Sequence, residues 1–148
     1  MRIIKLDASK WKTVTDFYDA LLAAVEAPKG HGKSPDALID SMIWGGMNAV
    51  EPPYTVQISG LSTAPKEVRD HVQLASDVLV NGRIDRKRHK GDDVDVSIVT
   101  APAIDGIDQA AKIRNAVTAV QYEGPDPNIR AGIDKAMRKF KLGPYREE

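Results

Sequence analysis

Residues 31–40, His31-Gly-Lys-Ser-Pro-Asp-Ala-Leu-Ile-Asp40, hold the most informative pattern in this chain. Ser34-Pro35 is a helix start. The serine oxygen accepts from the unpaired N–H groups of the first turn, and proline at the first helical position lacks an N–H that would go unpaired anyway. The helix runs through Asp36-Ala-Leu-Ile-Asp-Ser-Met-Ile-Trp44 and stops at Gly45-Gly46. Asp36 and Asp40 lie four apart, so both carboxylates project from one face. Leu38 and Met42, also four apart, mark another face that can anchor the helix to a core. Glu51 follows in the next loop, which gives an acidic edge with only Lys33 close by. Like charges at this spacing repel, a small cost to the helix. Asp36 alone is explained as a partner of the helix dipole and Asp40 alone as a solvated residue. The pair is what stands out.

Working outward, Arg2 to Leu6 reads as a short strand with branched apolar residues at its centre. Thr13-Val-Thr-Asp16 has the form of a capping box. Val14, Phe17, Tyr18, Leu21, Leu22 and Val25 then recur at helical spacing, which predicts a helix over about 13–26, stopped by Pro28 and Gly30. On the other side, Glu51-Pro-Pro53 forces an extended approach to Tyr54–Ser59, which alternates as a strand does. Ala64-Pro65 opens another helix with Val68, Val72, Ala75 and Leu79 on one face. It runs past Val80, and Asn81-Gly82 is expected to end or kink it. A basic run from Arg83 to Lys90 follows, and Gly91-Asp-Asp93 turns into a strand over Val94–Val99. The order is strand, helix, helix, strand, helix, strand. Long helical crossovers favour parallel pairing, so the fold class is α/β.

The character changes after Pro102. Ile107, Ala110, Ala111, Arg114, Val117 and Val120 predict a helix over about 105–121. Gly-Pro-Asp-Pro (124–127) then leads into a second helix, capped by Asp126 and ending near Leu142-Gly-Pro144. The expected organisation is a domain over 1–101 and a two-helix extension over 102–148. The extension is expected to pack on the free face of the sheet through Ile107, Val117, Val120, Ile133, Met137 and Phe140.

Composition excludes several functions. The 21 Lys and Arg balance 21 Asp and Glu, so the net charge is zero and a general polyanion binder is not expected. There is no cysteine, hence no disulfide and no thiolate metal site. The opening residues lack a signal-peptide pattern and no stretch is apolar enough to span a bilayer, which makes a cytoplasmic protein the expectation. His31, His71 and His89 have no partner at metal-ligand spacing, so no metal is expected. There is no Gly-x-Ser-x-Gly elbow, no phosphate-cradling loop and no cysteine nucleophile; neither an enzyme nor a cofactor is expected. The basic residues Arg83, Arg86, Lys87, Arg88 and Lys90 lack interleaved aromatics and are flanked by Asp85, Asp92 and Asp93. They are read as a solvated helix end rather than a nucleic-acid contact.

The Gly-x-x-x-Asp-Ala-Leu-x-Asp pattern from Gly32 to Asp40 resembles the barstar family of ribonuclease inhibitors. The likeness extends more loosely over residues 1 to about 100, in the order of the strands and helices. It implies a barstar-like two-layer fold with a three-stranded parallel sheet. It also implies a partner-binding surface made by Gly30, His31, Gly32, Ser34, Asp36, Ile39 and Asp40. By that resemblance Asp40 would enter a ribonuclease's catalytic pocket in place of a substrate phosphate, and Asp36 would meet the pocket's edge and main-chain donors. A carboxylate suits this task because it accepts paired bonds from arginine. The sequence departs from the family pattern in three places. Gly30 or His31 stands at the contact tyrosine, Ile39 at the tryptophan before the second aspartate, and Arg86, with Asp85 beside it, near the carboxylate of the last helix. The expected partner is thus a cognate ribonuclease, or another toxin with a cationic active site, rather than barnase itself. Two alternatives use the same fold differently. One is a scaffold or regulatory module that binds through the extension, with the Asp36–Asp40 face obstructed. The other is an RNA-binding regulator acting through Arg83–Lys90.

Overall fold

Branched apolar residues dominate Arg2–Asp7, Tyr54–Ser59 and Val96–Ala101, and these segments form strands β1, β2 and β3. The structure, a computed structural model, describes residues 2–126. The strands pair in chain order and all in parallel. Their register sets Ile4, Val56 and Ile98 in one row and Leu6, Ile58 and Thr100 in the next. Side chains alternate across a strand, so these rows make one face apolar and send Ile3, Thr55 and Ser97 to the other.

Helices pack on the apolar face. Helix α1, Val14–Ala24, starts in the expected capping box: Asp16 N–H donates to Thr13 Oγ1 at 3.3 Å, and Thr13 N–H donates to Asp16 Oδ2 at 3.0 Å. Its Phe17, Tyr18 and Leu21 are buried, as is Val25 just after it. Helix α2 is the short turn Pro35–Leu38, followed by a wider π-helical turn over Ile39–Ile43. Leu38 and Met42 are both fully buried, as expected for the anchoring face. Helix α3, Lys66–Lys90, crosses from β2 to β3 and buries Val68, Val72, Ala75 and Leu79. The result is the two-layer α/β arrangement expected of this sequence.

Two expectations about α3 need correction. Asn81-Gly82 neither ends nor kinks α3, which continues to Lys90. Gly82 is instead a point of close approach: a Cβ there would stand 3.0 Å from Ile43 Cγ1. The terminator is Gly91, whose φ of 92° lets its N–H return to the Arg86 and Lys87 carbonyls. The basic run is not solvated throughout, because the stripe 68, 72, 75, 79 continues at helical period to Arg83, which is 0% exposed. Its Nε and Nη2 donate to the two Asp93 oxygens at 2.9 and 2.7 Å, Nη2 also reaches Asp95 at 3.3 Å, and Nη1 donates to the Val96 carbonyl at 3.1 Å.

The extension differs too. Helix α4 covers Gln109–Thr118 rather than 105–121, because Ile104–Gly106 makes a separate tight turn and Asp108 caps the helix proper, accepting from Ala111 N–H at 3.1 Å. It packs against α3 and the β3 edge and buries Val117. It does not cover the far side of the free face: Ile3 is 55% and Ile107 48% exposed. The expected second helix, with Ile133, Met137 and Phe140, lies outside the described residues.

Burial pushes the Asp93 carboxyl upward, but the Arg83 hydrogen bonds, the Asp95 N–H and the charges of Arg83 and Lys87 outweigh it and hold the group below its ordinary 3.8. A lowered carboxylate stabilises the fold above its unfolded value, and that contribution disappears as the pH falls through the folded one. Urea melts should therefore show Asp93→Asn flattening the acid limb of stability below about pH 4. Arg83→Ala should lose about 3 kcal/mol at neutral pH, since it strands Asp93 and the Val96 carbonyl in a mostly buried site.

Candidate functional site

The acidic segment is held in place from three sides. Ser34 caps α2, its Oγ accepting from Ala37 N–H at 3.1 Å, so this residue shapes the segment more than it offers itself to a partner. Leu38 and Met42 insert into the core from below. From α3, Arg86 donates to the Ile43 carbonyl at the end of the segment, binds both Asp92 oxygens at 3.1 and 2.7 Å, and lies over the Trp44 ring at 5.9 Å. The wider turn at 39–43 is visible in the hydrogen bond from Trp44 N–H to the carbonyl of Ile39, five residues back, at 3.2 Å.

Gly30, Gly32, Asp36 and Asp40 are exposed, while His31, Ser34 and Ile39 are half-buried. Asp36 and Asp40 form no ion pair among the described residues. Lys33, the expected nearby cation, is held instead by Asp19 of α1 at 2.9 Å. Displaced water and the neighbouring Asp36 charge raise the Asp40 carboxyl above its ordinary value, with His31 opposing in part. Exposure and desolvation are compatible here: the side chain opens to solvent on one side and meets protein on the other.

Asp36 also edges a cleft of about 340 Å³ lined by Ile39, Trp44, Val78, Asn81, Gly82 and Asp85. Of these residues only Ile39 was assigned to the site from sequence; Trp44, Val78, Asn81, Gly82 and Asp85 were not. The signal was present in the spacing 78, 81, 82, 85, a second face of α3 turned toward the acidic segment. Asp85 rather than Arg86 thus stands on the cleft, with Arg88 3.8 Å away. Arg86 is turned to Asp92 and Ile43. His31 differs from expectation as well: its ring is engaged internally, with Gly32 and Ser41.

A larger groove, about 810 Å³, runs between α3, α4 and the end of β3. Size alone favours it as a ligand site, but part of its polar lining is engaged within the fold. Ser76 Oγ donates to the Ile98 carbonyl, and Thr100 donates to Gln109 through both N–H and hydroxyl. The acidic segment, whose two aspartates form no ion pair among the described residues, is the better candidate. No group of three or more metal-ligating side chains occurs among the described residues, and no described helix is long and apolar enough to cross a membrane.

A single parallel sheet with the helices of its crossovers on one face, presenting an acidic turn at its surface, describes a two-layer α/β protein. Residues 1–98 match the family Barstar (barnase inhibitor), and the chain belongs to it. No curated protein matches the chain. The family is one of inhibitors rather than enzymes, which makes this a protein of the barnase-inhibitor type.

A carboxyl whose value is raised by folding opposes folding once ionised: its contribution is best below the unfolded value and is lost as the pH rises through the folded one. Asp40→Asn should therefore raise the thermal midpoint of the free protein at pH 7. The gain should vanish near pH 3, where wild type and variant are both neutral at this position.

Proposed function

We propose that this protein inhibits a cognate ribonuclease, or a toxin with a similarly cationic active site, by placing the carboxylates of Asp36 and Asp40 in that site. The observation that carries the reading is the pair itself. Two exposed carboxylates on one short segment form no ion pair among the described residues, and Asp40 is ionised against a local cost. A cleft of arginine, lysine and histidine removes that cost on binding, through charge-assisted hydrogen bonds stronger than those to water. Asp85 and Trp44 extend the surface along the adjoining cleft, which supplies the apolar, aromatic ground that interface centres favour. Such an inhibitor works beside its target before export, so a cytoplasmic site of action goes with this reading. The scaffold alternative draws support from the α3–α4 groove and exposed Ile107, but it expected an obstructed Asp36–Asp40 face, and that face is open.

The immobilised protein, with an Asp40→Ala control, tests the proposal against cell lysate and purified barnase. A retained ribonuclease should lose activity at one equivalent of inhibitor. The alanine variant should bind it at least about 30-fold more weakly, since removing one member of an interfacial charge pair costs about 2 kcal/mol or more. Equal retention by both versions, or capture with no loss of nuclease activity, returns the protein to the scaffold reading.

A further inference from the structure

We propose that His31 is a positioning residue: its neutral ring staples the loop before α2 to the turn that carries Asp40, and its protonation weakens the surface's hold on a cationic partner. The staple belongs to the free protein; its effect on affinity rests on the inhibitor reading above. His31 Nδ1 lies 2.7 Å from the Gly32 carbonyl oxygen. A carbonyl only accepts, so Nδ1 carries the hydrogen. Nε2 then keeps its lone pair and accepts from the hydroxyl of Ser41, 2.7 Å away and 3% exposed. One ring thus joins the loop at Gly32 to the residue immediately after Asp40. The loop needs this closeness, since a Cβ on Gly32 would stand 3.1 Å from that of Ala37.

The charges around the ring give the staple its pH dependence. Asp40 and, beyond it, Asp36 stand on the acidic segment and interact with each other; Asp40 also senses His31. Lys33, two residues along the same loop, is bound to Asp19 of α1 at 2.9 Å. A neutral ring leaves the negative potential of Asp36 and Asp40 intact. Protonation turns Nε2 into a donor, obliges the Ser41 hydroxyl to find another acceptor, and sets a cation beside Asp40. The partner's cleft would then meet a partly cancelled charge. Histidine changes charge within about pH 5–8, where few other side chains do.

The free protein decides the staple. Nitrogen NMR at neutral pH should show the hydrogen on Nδ1. The Asp40 carboxyl carbon should titrate in two steps, its own and one that follows the imidazole. In His31→Gln, which can bridge to Ser41 but cannot titrate, only the first step should remain, with its midpoint moved to higher pH. Hydrogen on Nε2 at neutral pH, or the same Asp40 curve in both proteins, overturns the proposal. Against the inhibited ribonuclease, acidification from about pH 7.5 to 5.5 should weaken wild type roughly fivefold relative to His31→Gln, the lower end of ordinary site coupling. The ratio of the two proteins cancels titration of the partner. Equal slopes would remove the functional half of the proposal. If no ribonuclease is inhibited, the inhibitor reading fails while the NMR result still stands or falls by itself.

Discussion

The guanidinium of Arg83 lies wholly inside the fold and directs each of its nitrogens to the start of β3 or the turn before it: Nε and Nη2 to Asp93, Nη2 to Asp95, Nη1 to the Val96 carbonyl. An arginine can be buried only if its donors are met, and the planar fork is met here on every side. This interaction fixes the rotation of α3 about its own axis. With Arg83 pointing at β3, Gly82 faces Ile43, and Asn81 and Asp85 fall along the cleft beside Asp36. Three residues further, Arg86 reaches the Ile43 carbonyl and Asp92. The acidic segment is therefore held by the helix that the buried ion pair has set.

The same helix shows how the chain separates charges that stabilise from charges left for a partner. Arg83, Arg86 and Arg88 are matched by Asp93, Asp92 and Asp85. Asp36 and Asp40 have no such match among the described residues. Local rules are broken where a surface has work other than folding. An isolated helix gains nothing from carboxylates four residues apart, and Asp40 in particular is less comfortable ionised in the fold than in the open chain.

Much of this architecture was legible in the residues. The capping box at Thr13, the Ser34-Pro35 start and the alternation of Tyr54–Ser59 are local signals, and local physics decides them. What the sequence hid was set by tertiary partners. Gly82 reads as a breaker because its intrinsic helix propensity is poor, yet contact with Ile43 requires an absent side chain there. Arg83 reads as solvated because arginine usually is, and only the return of the chain through Asp93 and Asp95 supplies its counter-ions. In the site, the acidic pair could be picked out by spacing alone. The place of Asp85 beside Asp36, and the inward turn of His31 toward Ser41, depend on contacts that spacing does not encode.

A net charge of zero looks unfavourable for a protein that meets a cationic cleft. The objection weakens once the charges are placed. At physiological ionic strength interactions between exposed charges fade over about 8 Å, so an approaching partner responds to the groups nearest it and not to the sum over the chain. The guanidiniums of Arg83, Arg86 and Arg88 at the end of α3 each face a carboxylate, and Lys33, the one cation of the acidic loop between Gly32 and Asp40, is tied back to Asp19. Lys5, Lys10 and Lys12 belong to β1 and the turn before α1, not to the acidic segment. What remains at the surface of the segment, among the described residues, is Asp36 and Asp40, with Glu51 in the following loop. A neutral protein can thus present a locally negative face, and the pairing of Lys33, Arg83, Arg86 and Arg88 elsewhere helps keep that face from being cancelled by its own chain.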